Sequence, residues 1–334
     1  MRKGSAIRSV VAAAVVVAIV VAACLWWQRS DPPVQADASG EVNEVAAARP
    51  MVAARQRAAS APLPPADVPL RQVFDELSRR AAGGDAAAGC RLAAELERCD
   101  RIQHRLAAHD EQVWRMEHGR QVTPADKAAY AAWKKMLDVM APGLLNAADR
   151  CEGVRSLSAA ERVALWRQSA LAGNPGALAH YVVGNAFRRR DTLEVLPQLQ
   201  TYRREAELMA LQASSRGDLQ TSLALAAAYS PRRDTGERYF LAQVVKPDLA
   251  RSLALYRRGS RLLPEAAPPS VRQMIDDNVA WLQLHAAPGD LEKADVLGSQ
   301  WAQQWSNAPI GGSAQLKINE VGGVSDIAPT QCAP

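Results

Sequence analysis

Cysteine and histidine are the residue types in this chain that could carry chemistry. Beyond Cys24 the cysteines are Cys90, Cys99, Cys151 and Cys332. On one continuous helix Cys90 and Cys99 would point to opposite faces, ~13.5 Å apart along the axis. That exceeds the ~7 Å Cα separation a disulfide spans, so a bridge between the two would need a break in the helix. The preferred bridge is Cys99–Cys151, worth ~3–4 kcal/mol through the loop it closes. Cys90–Cys151 competes, and free core thiols are the remaining reading. No CxxC occurs, and no Cys/His spacing suits zinc.

His104, His109 and His118 stand among Asp110, Glu111 and Glu117. A helical metal site wants two ligands at i, i+4, whereas His104 and His109 are i, i+5 and no HExxH is present. A solvated, charge-laced helix is the better reading, so neither a metal nor a cofactor is expected. A serine hydrolase would need a Gly-x-Ser-x-Gly elbow between strand and helix. The Gly-rich stretch 311–323 lacks the strand, Lys and helix of a phosphate loop. Arg188-Arg189-Arg190 and Arg203-Arg204 could meet an acidic partner or lipid headgroups, but solvated helix ends explain them more simply.

The elements that would hold these residues are helices. The 334 residues include 64 alanines against 8 Trp, 6 Tyr and 3 Phe, a composition for closely approaching helices and against a β-sandwich or barrel. Net charge is +5, but Arg and Asp/Glu are interspersed rather than gathered into a basic stripe, which disfavours nucleic acid as a partner. Leu70, Val73, Phe74 and Leu77 fall at i, i+3, i+4, i+7. Thr123-Pro124 and Ser158–Glu161 read as helix starts, as does Ser270 with Gln273. Ala129, Trp133, Met136, Leu137 and Met140 form an apolar helix face. Leu291, Ala294, Trp301 and Trp305 mark a last helix.

Three segments superimpose without gaps: Gly84-DAAAGCRLAAEL, Gly173-NPGALAHYVVGN and Gly217-DLQTSLALAAAY. Each Gly ends a helix, where a left-handed residue is tolerated. Four residues on comes a small residue (Ala88, Ala177, Thr221), and four further a larger apolar one (Leu92, Tyr181, Leu225). Both therefore share a face. This pattern resembles the Sel1-like repeats, relatives of the tetratricopeptide repeats, and Asp248-Leu-Ala-Arg-Ser-Leu-Ala-Leu-Tyr256 reinforces the resemblance. It departs from the family pattern at Ala93, Val182 and Ala226, where glycines are expected. The resemblance implies an all-α fold, an α/α superhelix of helix pairs across residues 69–305 whose faces bind other proteins.

Residues 10–27 run without a charge behind Arg2, Lys3 and Arg8. That suits a single transmembrane anchor over 1–27, with everything after it outside the cytoplasm. The rival reading is a lipoprotein signal ending at residue 23, because Val21-Ala22-Ala23-Cys24 resembles a bacterial lipobox and Cys24 would carry the lipid. Pro/Ala-rich residues 28–68 read as a flexible linker, and 306–334 as a flexible tail. The expectation is a periplasmic, inner-membrane-tethered adaptor that binds another protein and catalyses nothing. The alternatives are a peptidoglycan- or ligand-binding module and, remotely, a hydrolase built on His104 and His109.

Overall fold

A computed structural model describes residues 61–119, 123–232, 239–308, 318–319 and 323–333. The anchor, Cys24 and most of the linker lie outside the described residues. Within them the fold is all-helical: α1 (Leu70–Ala82), α2 (Ala86–His118), α3 (Pro124–Asp149), α4 (Ala159–Leu171), α5 (Pro175–Val182), α6 (Leu196–Ser215), α7 (Leu219–Tyr229), α8 (Phe240–Val244), α9 (Leu249–Leu262), α10 (Pro269–His285) and α11 (Pro288–Gln304). No helix among the described residues is long and apolar enough to cross a membrane.

The aligned glycines make one local structure three times. Gly84, Gly173 and Gly217 have φ of 85°, 95° and 96°, a region that costs a residue with Cβ about 1–2 kcal/mol. The amide after each glycine donates to a carbonyl in the helix just ended: Asp85 to Arg80 at 2.9 Å, Asn174 to Ser169 at 3.1 Å, Asp218 to Ala213 at 3.1 Å. That same Asp or Asn then caps the next helix. Its side chain accepts from Ala88 at 3.1 Å, Ala177 at 2.8 Å and Thr221 at 2.9 Å. The small position is thus the third residue of each helix and is fully buried in all three, while Leu92, Tyr181 and Leu225 are buried one turn on. Elsewhere Thr123 and Ser158 cap α3 and α4 through reciprocal bonds with Asp126 and Glu161. Ser270 does not cap α10, which opens at Pro268-Pro269 and takes Ser270 inside its first turn.

Helices joined by these turns pack together: α1 on α2, α4 on α5, α6 on α7. Each pair also meets the next, through α2 on α4, α5 on α6 and α7 on α9, and α9 carries α10 and α11. Gly89 shows how close α2 and α4 come, since a Cβ there would lie 2.4 Å from Ser169 Oγ. One core cluster joins α1 to the first half of α2, and a larger one runs from Cys90 through α4 to α11.

Three stretches differ from the sequence expectation. The end of the linker is held in place: Arg150 donates to the carbonyls of Ala66 and Asp67, Arg80 to that of Pro62, and Leu63 and Val68 pack on the first core. The end of the tail is also held, with Val324, Ile327 and Cys332 buried and a 3-10 turn over Pro329–Cys332 against α2 and α5. The apolar face of α3 is not covered. Leu137 is buried against α2, but Trp133, Met136 and Met140 are exposed, because α2 runs beyond the core and α3 folds back chiefly on it.

Candidate functional site

The docked tail lies over a charged cluster built from four parts of the chain. α2 contributes Glu97, Asp100 and Arg101; α4 contributes Arg162 and Trp166. His180 comes from α5, and the segment after it brings Arg188, Arg190 and Asp191. Glu97 is 2% exposed and receives Trp166 Nε1–H at 3.0 Å and Arg188 Nη2–H at 2.8 Å. His180 Nε2 sits 3.1 Å from the same carboxylate without hydrogen-bond alignment, and its ring stacks on Trp166. Burial alone would raise the Glu97 pKa. The neighbouring His180 and Arg188 outweigh it and hold the carboxyl at about 2.

Asp100, one turn along α2, takes Arg188 and Arg190, the latter at 2.9 Å. Arg162, itself buried, pairs with Asp191 at 2.6 Å. The Arg188-Arg189-Arg190 run is therefore no simple solvated helix end. Arg188 turns inward, and the acids that it and the more exposed Arg190 meet belong to this chain. Asp326 of the tail pairs with Arg101.

The tail is also held by its backbone and by a covalent bond. Asn185 donates to the Val324 carbonyl at 2.7 Å and Asn174 to the Cys332 carbonyl at 3.1 Å. At Gly176 a Cβ would press within 3.3 Å of Ile327, so a larger residue would push the segment outward. Cys332 is bonded to Cys90, 242 residues away, and Cys99 to Cys151, the pair preferred on spacing. The competing Cys90–Cys151 bridge is not formed. Cys90 and Cys99 do lie on one helix, and each takes a distant partner.

The sequence-selected histidines do not come together. His104 contacts Asp100 at 3.3 Å, His109 meets the Leu137 carbonyl at 3.1 Å, and His118 turns back on Trp114. The histidine that does converge with carboxylates is His180, which drew no attention in the sequence because its partners are far off in the chain. Among the described residues, Glu97, His180 and Asp326 bring ligand-type atoms within 4.8 Å of one another. The groups already around them are guanidinium and indole N–H donors, a surrounding that satisfies anions and repels a cation. A cavity of about 30 Å³ beside Asp100, Gln103 and Arg155 has room for water and little else.

A second cluster lies one helix pair on. Glu205 accepts from Arg167 at 2.7 Å and from the Tyr181 hydroxyl at 2.7 Å. Burial, together with that carboxylate, pushes Tyr181 far above the usual tyrosine range, so it stays a hydrogen-bond donor. Neither cluster sets a nucleophile beside a base. Beside the first, the tail segment is held by Arg101, by the Asn174 and Asn185 side-chain amides and by the close approach of Ile327 to Gly176.

Comparison with family models, with curated proteins and with solved structures finds no match to this chain.

Proposed function

We propose that this chain is a Sel1-like repeat protein that binds another protein and has no catalysis of its own. In this reading the helix pairs form an α/α superhelix, tethered to the bacterial inner membrane through residues 10–27 and facing the periplasm. The observation that carries it is the turn made at Gly84, Gly173 and Gly217. One glycine conformation, one capping Asp or Asn and one buried small residue recur at equivalent places in successive helix pairs. Units of that kind cannot bury their apolar faces singly, and stacking them yields the extended surfaces on which repeat proteins bind partners.

The test is photo-crosslinking in cells of the full chain, with the probe on exposed faces of α6, α9 and α10. A discrete crosslinked protein, lost when the probed face is mutated, is the expected result. Recovery of no specific partner from any face overturns the reading. Intact-mass analysis of the purified chain separates a spanning anchor from lipid on Cys24.

A further inference from the structure

α3 is apolar around more of its circumference than α2 covers. Leu137 faces α2, with Tyr130, Ala141 and Leu144 half-buried beside it. A separate stripe is formed by Ala129, Trp133, Met136, Met140 and Gly143, all exposed, and ends at Ala147, which is half-buried. Its steps of four and three residues place them on one face. Trp133 is 53% exposed, Met136 44% and Met140 48%. Lys127, Lys134, Lys135 and Asp138 keep to the remaining arc of the helix.

Gly143 is exposed and follows Pro142 inside α3. It lies there without a positive φ, and a Cβ on it would meet no atom of the described residues within 4 Å. Glycine nevertheless weakens a helix interior relative to alanine. Opposite a bulky side chain of a second helix, the missing side chain at Gly143 is room for it.

We propose that a second copy of this chain covers the stripe, the two α3 helices lying antiparallel about a two-fold axis at position 138. Trp133 of each then sits over the partner's Gly143, Met136 meets the partner's Met140, and Ala129 meets the partner's Ala147. The stripe reads the same in both directions, large opposite absent, flexible opposite flexible, small opposite small. That is the self-complementarity a two-fold interface requires. Helices that pack at about 8–10 Å leave room for an indole only where the facing residue has no side chain. The stripe spans about 27 Å of one helix, a contact at the small end of specific interfaces, so the pair dissociates on dilution.

Sedimentation velocity of the full chain in mild detergent, from low micromolar to sub-millimolar concentration, tests this. A monomer–dimer equilibrium is expected, and Gly143→Ala weakens it by about tenfold or more, as does Trp133→Ala. Gly143→Ala leaves the monomer's thermal midpoint unchanged or higher, because the added methyl finds open space there. Paired Met136→Cys and Met140→Cys substitutions crosslink two copies under mild oxidation. A chain monomeric throughout overturns the proposal. So does a dimer indifferent to Gly143→Ala, as one held by the N-terminal apolar segment would be. Neither result bears on whether another protein binds α6, α9 or α10.

Discussion

The indole of Trp166 stacks on the imidazole of His180 with ring centroids 3.9 Å apart, and both rings present a nitrogen to the same oxygen of Glu97. With Arg188 on the other oxygen, one buried carboxylate joins α2, α4, α5 and the segment after α5. The carboxylate thus helps tie the first two helix pairs together, beside the close packing of α2 on α4 at Gly89.

Removing that carboxylate leaves the Trp166 N–H without its acceptor in the interior and Arg188 with Asp100 in place of two carboxylates. Glu97→Ala is expected to lower stability by about 3–5 kcal/mol, the range for breaking a buried charge pair from one side. Urea unfolding followed by tryptophan fluorescence measures it. A loss under about 1 kcal/mol would show that the cluster is not a stabilising joint.

The pH dependence follows from the same group. Its folded pKa of about 2 lies below the ordinary carboxylate value, so its contribution is complete above about pH 4.5 and is lost as pH falls toward 2. The displacement corresponds to about 3 kcal/mol. Acid unfolding of the wild type should show this dependence, and Glu97→Gln should flatten it across that window. Equal slopes for the two proteins would refute the assignment.

Replacing Cys90 and Cys332 together by serine frees the last residues from α2 and α5. A cost of about 2–5 kcal/mol is expected from so long a loop. Amide exchange at Val324, Asp326 and Ile327 should also quicken, since only non-covalent contacts, among them Asn174, Asn185, Arg101 and the apolar packing of Val324 and Ile327, would hold them. Both cysteines are buried, so in the folded wild type the bond should resist a soluble thiol that reduces it in urea. Mass spectrometry after alkylation reads that difference.

Gly84→Ala, Gly173→Ala and Gly217→Ala should each destabilise by about 1–2 kcal/mol, because each places a Cβ in the left-handed region. Gly289→Ala, at a position with open space and no positive φ, is the control and should be neutral. Thermal melts of the four variants decide whether the three turns are equivalent.

Helices, their starts at Thr123 and Ser158, and the repeated glycine turns are all legible in the residues alone. Each depends on hydrogen bonds between groups a few positions apart, and a glycine after a helix with an Asp or Asn behind it carries that geometry with it. The Cys99–Cys151 pairing was open to argument from spacing, since Cys90 and Cys99 on one helix exclude each other.

Where the chain returns on itself was decided by tertiary structure. Cys332 reaches Cys90, Asp326 reaches Arg101, and Arg188 turns in to Glu97, although nothing near any of these residues names its partner. Periodicity likewise shows that one face of α3 is apolar, while only the direction in which α2 leaves the core leaves Trp133 and Met140 uncovered. The physical reason is common to both cases. Local conformation is set by short-range sterics and hydrogen bonding written in neighbouring residues, whereas burial and charge pairing depend on which distant surfaces the packed helices bring into contact.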